Sequence, residues 1–237
     1  MSIPLLELAG VSKDYRGLRP LRIEQLSVAG HERVALLGLD QPMAEVFVNL
    51  VTGTALPDRG DVRVFGRSTA AIVDSDEWLK VVDRFGIVSE RAVLLEALTV
   101  LQNLAVPFTL DIDPLPPDAA DRAARLAGEA RLSAADWEKP VAALDGASRA
   151  RVRLARALAL DPALLLLEHP TTAVDREQVV GLAECIRSVA AARGVAVVAL
   201  TADRVFASAV AGRVLTLDPA TGRLNGRGWF GTWLGLE

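Results

Sequence analysis

The stretch GLDQPMAEV, Gly38 to Val46, stands between a strand-like apolar run, RVALLG, and a helix-like one, VFVNLVTG. A turn from strand to helix is where a phosphate-binding loop belongs. Backbone N–H groups at a helix N-terminus cradle an anion there, and a lysine supplies the balancing charge. This loop has no lysine, and Gly38 is its only glycine. Two further apolar runs end on polar residues, LLLLEHP at Glu168 and His169, and VAVVALTAD at Thr201. The frame of a ligand site is present, but its usual cation is missing.

The elements that must position these residues follow from the apolar pattern. The first part, LLELAGVSKDY and LRIEQLSVAGHERVALLG, alternates or runs apolar between glycine breaks and reads as strands. VFVNLVTG has helical spacing and ends at Gly53. DRGDVRVFG and RFGIVSE read as short strands. From about Glu90 to Asp145 the β-branched runs stop. LEALTVLQNLAVPF looks helical, DIDPLPPD is a proline-rich connector, and AADRAARLAGEARL is an amphipathic helix. The chain then alternates. SRARVRLARALAL is a helix, ALLLLEHP a buried strand, REQVVGLAECIRSVAAARG a helix, VAVVALTAD a strand, RVFASAVAG a helix and RVLTLD a strand. Helices alternating with continuous apolar strands predict an α/β fold, a parallel sheet covered on both faces. Ligands of such sheets bind beyond the carboxyl ends of the strands, where Gly38, Glu168 and Thr201 fall.

Composition narrows the class. The chain has 237 residues and a formal net charge of -4, which argues against a nucleic-acid partner. Lys13, Lys80 and Lys139 are its only lysines, and none is near the loop in sequence. No apolar run approaches the ~20 residues of a membrane span. The N-terminus MSIPLLELAGVSKDY lacks the pattern of a signal peptide, so a cytoplasmic chain is expected. A single cysteine, Cys185, agrees with a reducing compartment and reads as a buried apolar residue.

Taken in order, these pieces resemble the nucleotide-binding domain of an ABC-type ATPase, over nearly the whole chain. LARALALDPALLLLEHPTTAVD resembles the run from the helix after the family's signature, through the Walker B strand, to the D-loop. TGTALPDRGDVRVFG resembles the stretch after the phosphate loop, and LTVLQNL the start of the helical subdomain. The resemblance implies an ABC-type P-loop ATPase fold in one domain, 1–237. The core with its N-terminal antiparallel β subdomain would take 1–89 and 146–237, and the helical subdomain 90–145.

Position by position, the resemblance also shows departures. Against G-x-x-x-x-G-K-[ST], Gly38 is kept, Met43 stands at the second glycine, Ala44 at the lysine and Glu45 at the hydroxyl, while Pro42 removes an N–H. Glu45 is expected to put its carboxylate at the helix N-terminus, in the anion's place. Glu90 stands at the Q-loop glutamine, as a magnesium ligand or a solvated loop acid. LDGAS stands at the LSGGQ signature, with Asp145 for serine and Gly146 kept; Asp145 also reads as a plain helix cap. Glu168 replaces the magnesium-coordinating Asp, His169 the glutamate that polarises water, and Ala202 the switch histidine. Tyr15 matches the aromatic that stacks on adenine, and Asp175 the D-loop acid.

Frame residues persist while residues that would touch phosphate, metal or water are altered. The expectation is a degenerate, non-hydrolysing subunit at the cytoplasmic face of the membrane. It would dock a membrane permease and pair with a second ABC-type subunit, with neither a tightly bound cofactor nor a metal. The alternative is an atypical but active ATPase energising transport, which would use ATP and magnesium. The tail GWFGTWLGLE, with Trp229, Phe230, Trp233 and Leu234, either folds back or docks on a partner.

Overall fold

Continuous apolar runs in this chain become strands buried on both faces. The computed structural model describes residues 4–226; the aromatic tail lies outside the described residues. In order the elements are β1 (Leu6–Lys13), β2 (Leu21–Val28), β3 (Arg33–Leu37), α1 (Gln41–Val51), β4 (Arg59–Val64) and β5 (Arg67–Ser68). Then come α2 (Ser75–Val82), β6 (Phe85–Val88), α3 (Val100–Ala105), α4 (Pro117–Glu129) and α5 (Gly146–Ala157). The chain closes with β7 (Leu164–Glu168), α6 (Val179–Arg193), β8 (Ala196–Leu200), α7 (Arg204–Val210), β9 (Arg213–Leu217) and β10 (Leu224–Gly226).

Two sheets result. One is antiparallel, in the order β2-β1-β4-β5. The other runs β10-β9-β3-β8-β7-β6 and is parallel except at its β10 edge. In β7 every residue is buried, and the side chains divide by parity. Leu164 and Leu166 pack with α1 and the antiparallel sheet, while Leu165 and Leu167 pack with the helices on the other side. The period of two puts Glu168 on the α1 side. The fold therefore carries a carboxylate to the end of a buried strand, facing a helix N-terminus.

The helical part differs from the sequence reading in detail. α3 starts only at Val100, because Thr99 and Gln102 form a capping box there. α2, unread in the sequence, is an eight-residue helix capped by Asp74, with no buried residue. Between β6 and α3 runs a connector, 89–99, that is tied down along its length. Asn103, fully buried, accepts from Leu95 N at 2.8 Å and donates to the carbonyls of Leu95, Leu98 and Thr99. From α5, Arg149, Arg153 and Arg156 lie on one helix face by their spacing. Arg149 pairs with Glu96, and Arg156 donates to Val93 O at 2.8 Å. Cys185 is enclosed between α6 and the end of α4, its thiol donating to Ala130 O at 3.2 Å. Burial pushes that thiol up from its ordinary range. Among the described residues no helix is long and apolar enough to cross a membrane.

Candidate functional site

The loop after β3 is short, residues 38–40. α1 already begins at Gln41, with Pro42 in its first turn, where the missing N–H is least costly. Asp40 caps the helix, its Oδ1 accepting from Met43 N at 2.9 Å, and Ala44 N donates to Asp40 O at 2.9 Å. The acid at the helix N-terminus is thus Asp40, whereas the sequence reading assigned that position to Glu45. Glu45 lies a turn further along, half-exposed. The cap and the proline together take up donors that an anion would need. Ala44 is fully buried in the apolar cluster with Phe47 and Leu50, so the position matched to lysine presents only a methyl group to the core.

Gly38 has φ +89, and a Cβ there would fall 2.9 Å from Leu217 O in β9. Close backbone packing accounts for this glycine without any ligand.

The end of β7 holds a cation that the sequence reading missed. Arg91, in the connector, reaches across to Glu168, with Nη2 2.6 Å from Oε2 and Nε 3.2 Å from Oε1. Gln41 Nε2 donates to Glu168 Oε1 at 2.5 Å. Arg91 Nη1 also lies 3.2 Å from Glu45 Oε1. The Glu168 side chain has no exposed surface, while that of Arg91 is 39% exposed. Hydrogen bonding to Glu168 raises the Arg91 guanidinium above its ordinary value, with the charges of Glu168 and Glu45 adding to the effect. Both oxygens of the buried carboxylate are therefore committed within the chain.

A resident magnesium does not fit this arrangement. The carboxylate matched to its ligand already faces a guanidinium and an amide N–H, neither of which donates an electron pair to a metal. Among the described residues no group of three or more His, Cys, Asp or Glu side chains is arranged to hold a metal ion.

The other candidates separate. Glu90 is exposed in the connector and forms a two-pronged pair with Arg153, at 2.8 and 2.6 Å. Asp145 caps α5, accepting from Ser148 N at 2.7 Å and from Gln178 Nε2 at 3.1 Å. These bonds, that from Ser148 N first, hold its carboxyl below the usual carboxylate range. Gly146 opens α5 hard against the backbone at Ala173. His169 adopts φ +43 after β7, its N–H donating to Leu200 O at 2.8 Å while its Nε2 is buried without a hydrogen-bond partner. Ala202 is exposed after β8, and Asp203 beside it caps α7. Tyr15 packs half-buried against the α1 core; burial and then the Asp40 charge push its hydroxyl up. Asp175 opens the 3-10 turn Arg176–Gln178. The site that assembles is thus Asp40, Gln41, Glu45, Arg91 and Glu168, with Tyr15 close by. An acid pair on α1 and β7 without a local lysine was the sequence signal that an arginine had to come from elsewhere.

Comparisons with known proteins agree with this architecture. The family described as "ABC transporter" matches residues 45–172, beginning inside α1 and covering more than half of the chain. The methionine import ATP-binding protein MetN of Brucella abortus is 30% identical over 218 residues, 92% of this chain. The chain spans only 58% of that relative's length. The lipoprotein-releasing system ATP-binding protein LolD of Anaeromyxobacter dehalogenans is 33% identical over 180 residues, 74% of each chain. Among solved structures, the ATP-binding cassette MJ0796 in a dimeric post-hydrolysis state bound to ADP and Pi superposes with a TM-score of 0.72 at 23% identity, covering 92% of this chain and 96% of that one. cbiO1 from Clostridium perfringens, part of the transporter complex cbiONQ, gives 0.75 at 17% identity, covering 94% and 87%. The structural likenesses carry the fold, an ABC cassette with its antiparallel sheet, mixed parallel sheet and helices. With the family match and the sequence relatives, they lead to one conclusion: the chain belongs to the ABC transporter family.

Proposed function

We propose that the chain is the cassette subunit of a membrane transport assembly, seated at the cytoplasmic face, and that its own nucleotide site does not hydrolyse ATP. In this reading it pairs with a second cassette and docks a permease through its helical part, residues 90–145. The observation that carries the proposal is the start of α1. Met43 N is spent on Asp40, Pro42 has no N–H, and buried Ala44 stands where a lysine would neutralise the outer phosphates. Catalysis of phosphoryl transfer is mostly positioning and charge stabilisation. Removing the loop cation and adding a carboxylate opposes both. The dimeric MJ0796 cassette and the cbiONQ complex support the expectation of a partner cassette and a permease.

A second reading, an active ATPase that energises transport, is favoured by the relatives. MetN and LolD are both named ATP-binding proteins. Their cargoes, methionine and lipoprotein, differ, so neither carries over here.

Equilibrium titration with Mg-ATP and a phosphate-release assay separate the two readings. For a non-hydrolysing subunit the dissociation constant of the purified chain is weaker than about 1 mM, and its phosphate release stays at background. Micromolar binding together with turnover on the order of 1 per second establishes the second reading in its place.

A further inference from the structure

A buried carboxylate needs a counter-cation, and three separate elements here converge on one guanidinium. Glu168 comes from the end of β7, Glu45 from α1, and Arg91 from the connector between β6 and α3. The amide of Gln41 completes the set. Arg91 itself is fixed from behind, its backbone N donating to Ser89 Oγ at 3.1 Å. The neighbouring residue Glu90 is gripped by Arg153 of α5, whose side chain is only 11% exposed. The connector is therefore held on both sides, by the sheet end through Arg91 and by α5 through Arg149, Arg153 and Arg156.

We propose that Arg91 is a tethered counter-cation, which fills from within the chain the position a magnesium ion would hold against Glu168 and Glu45. It thereby fixes the connector to the sheet without any ligand. The proposal rests on the reading of this site as the family's nucleotide position, but not on the absence of hydrolysis. Arginine suits the task because its planar fork meets a carboxylate with two N–H groups and stays charged at every physiological pH. A hydrated divalent ion would have to displace a cation that cannot diffuse away. The electrostatic need for an ion at Glu168 is already met.

The test is a titration of the full chain with Mn2+ alone, followed by calorimetry and by electron paramagnetic resonance of the free ion. The variants are R91Q, which removes the charge and keeps a donor, R91K, which keeps the charge, and R91Q/E168Q. The wild type and R91K are expected to show no saturable site up to millimolar Mn2+. R91Q is expected to gain one site at least about tenfold tighter than any wild-type binding, because a unit positive charge has been taken from beside two carboxylates. R91Q/E168Q is expected to lose that site. Circular dichroism establishes that each variant is folded, and R91K separates charge from packing if R91Q is weakened. Saturable Mn2+ binding by the wild type at R91Q strength overturns the proposal. So does a folded R91Q that gains nothing, or a gain that survives E168Q. Tight ATP binding with turnover by the wild type, with this Mn2+ pattern intact, would overturn the non-hydrolysing reading alone.

Discussion

Replacing Arg91 by alanine is expected to lower the unfolding free energy by about 3 kcal/mol, the low end for breaking a buried ion pair. The cost lies in what remains. The Glu168 side chain has no exposed surface, and it would keep only the Gln41 amide. The exposed edge of Arg91 lets water approach, which keeps the figure from the top of the range. Arg91→Leu combined with Glu168→Leu is expected to return to within about 1 kcal/mol of the wild type, since replacing both partners leaves no orphan charge. Urea unfolding of the wild type and of both variants measures this. A folded Arg91→Ala as stable as the wild type would show that Glu168 is not stranded.

Gly146→Ala is the other large effect. An ideal Cβ at Gly146 would sit 1.6 Å from Ala173 O and 2.7 Å from Ala173 C. Both atoms are backbone, so no rotamer change relieves the clash. Either α5 or the turn after His169 must move, at a cost of about 3 kcal/mol, the upper end for added core volume. Gly128→Ala is the control. It lies in α4 with nothing within 4 Å of the added atom, and the change is expected to be neutral or stabilising by up to about 1 kcal/mol. Thermal unfolding of the two variants reads the difference. If Gly146 were retained only to donate to a phosphate held by an opposite subunit, Gly146→Ala would leave the isolated chain as stable as before. Such a result would remove the packing account.

What the sequence made legible divides along the range of the interactions. Local signals are reliable here. The alternation of β1 and β2, the unbroken apolar run of β7, the cap at Asp145 and the stop at Gly53 each depend on a few neighbouring residues, and each appears in the structure. The start of α1 was misjudged because GLDQP reads as loop, although proline belongs in a first helical turn and Asp40 is a good cap. α2 escaped because it buries no residue, so no apolar period marks it. The pairing of Arg91 with Glu168 spans 77 positions and leaves no local trace. Only a balance of charge pointed to it. Acids at 45 and 168 face one spot, and a carboxylate at the end of a buried strand is rarely left without a cation. Glu90 illustrates the converse, since its sequence position allowed a metal ligand or a solvated loop acid, while its partner, Arg153, lies two turns into α5.

The enclosure of Cys185 turns the chain into its own reporter. It carries the only thiol, so a sulfhydryl reagent has a single target, and that target is shut between α6 and the last residues of α4. Alkylation can proceed only when those two helices part, and its speed therefore times their separation. Mass spectrometry of the modified protein would register such breathing without an added label, and the rate in Arg91→Ala set against the wild type would tell whether loosening the connector also loosens this pair of helices.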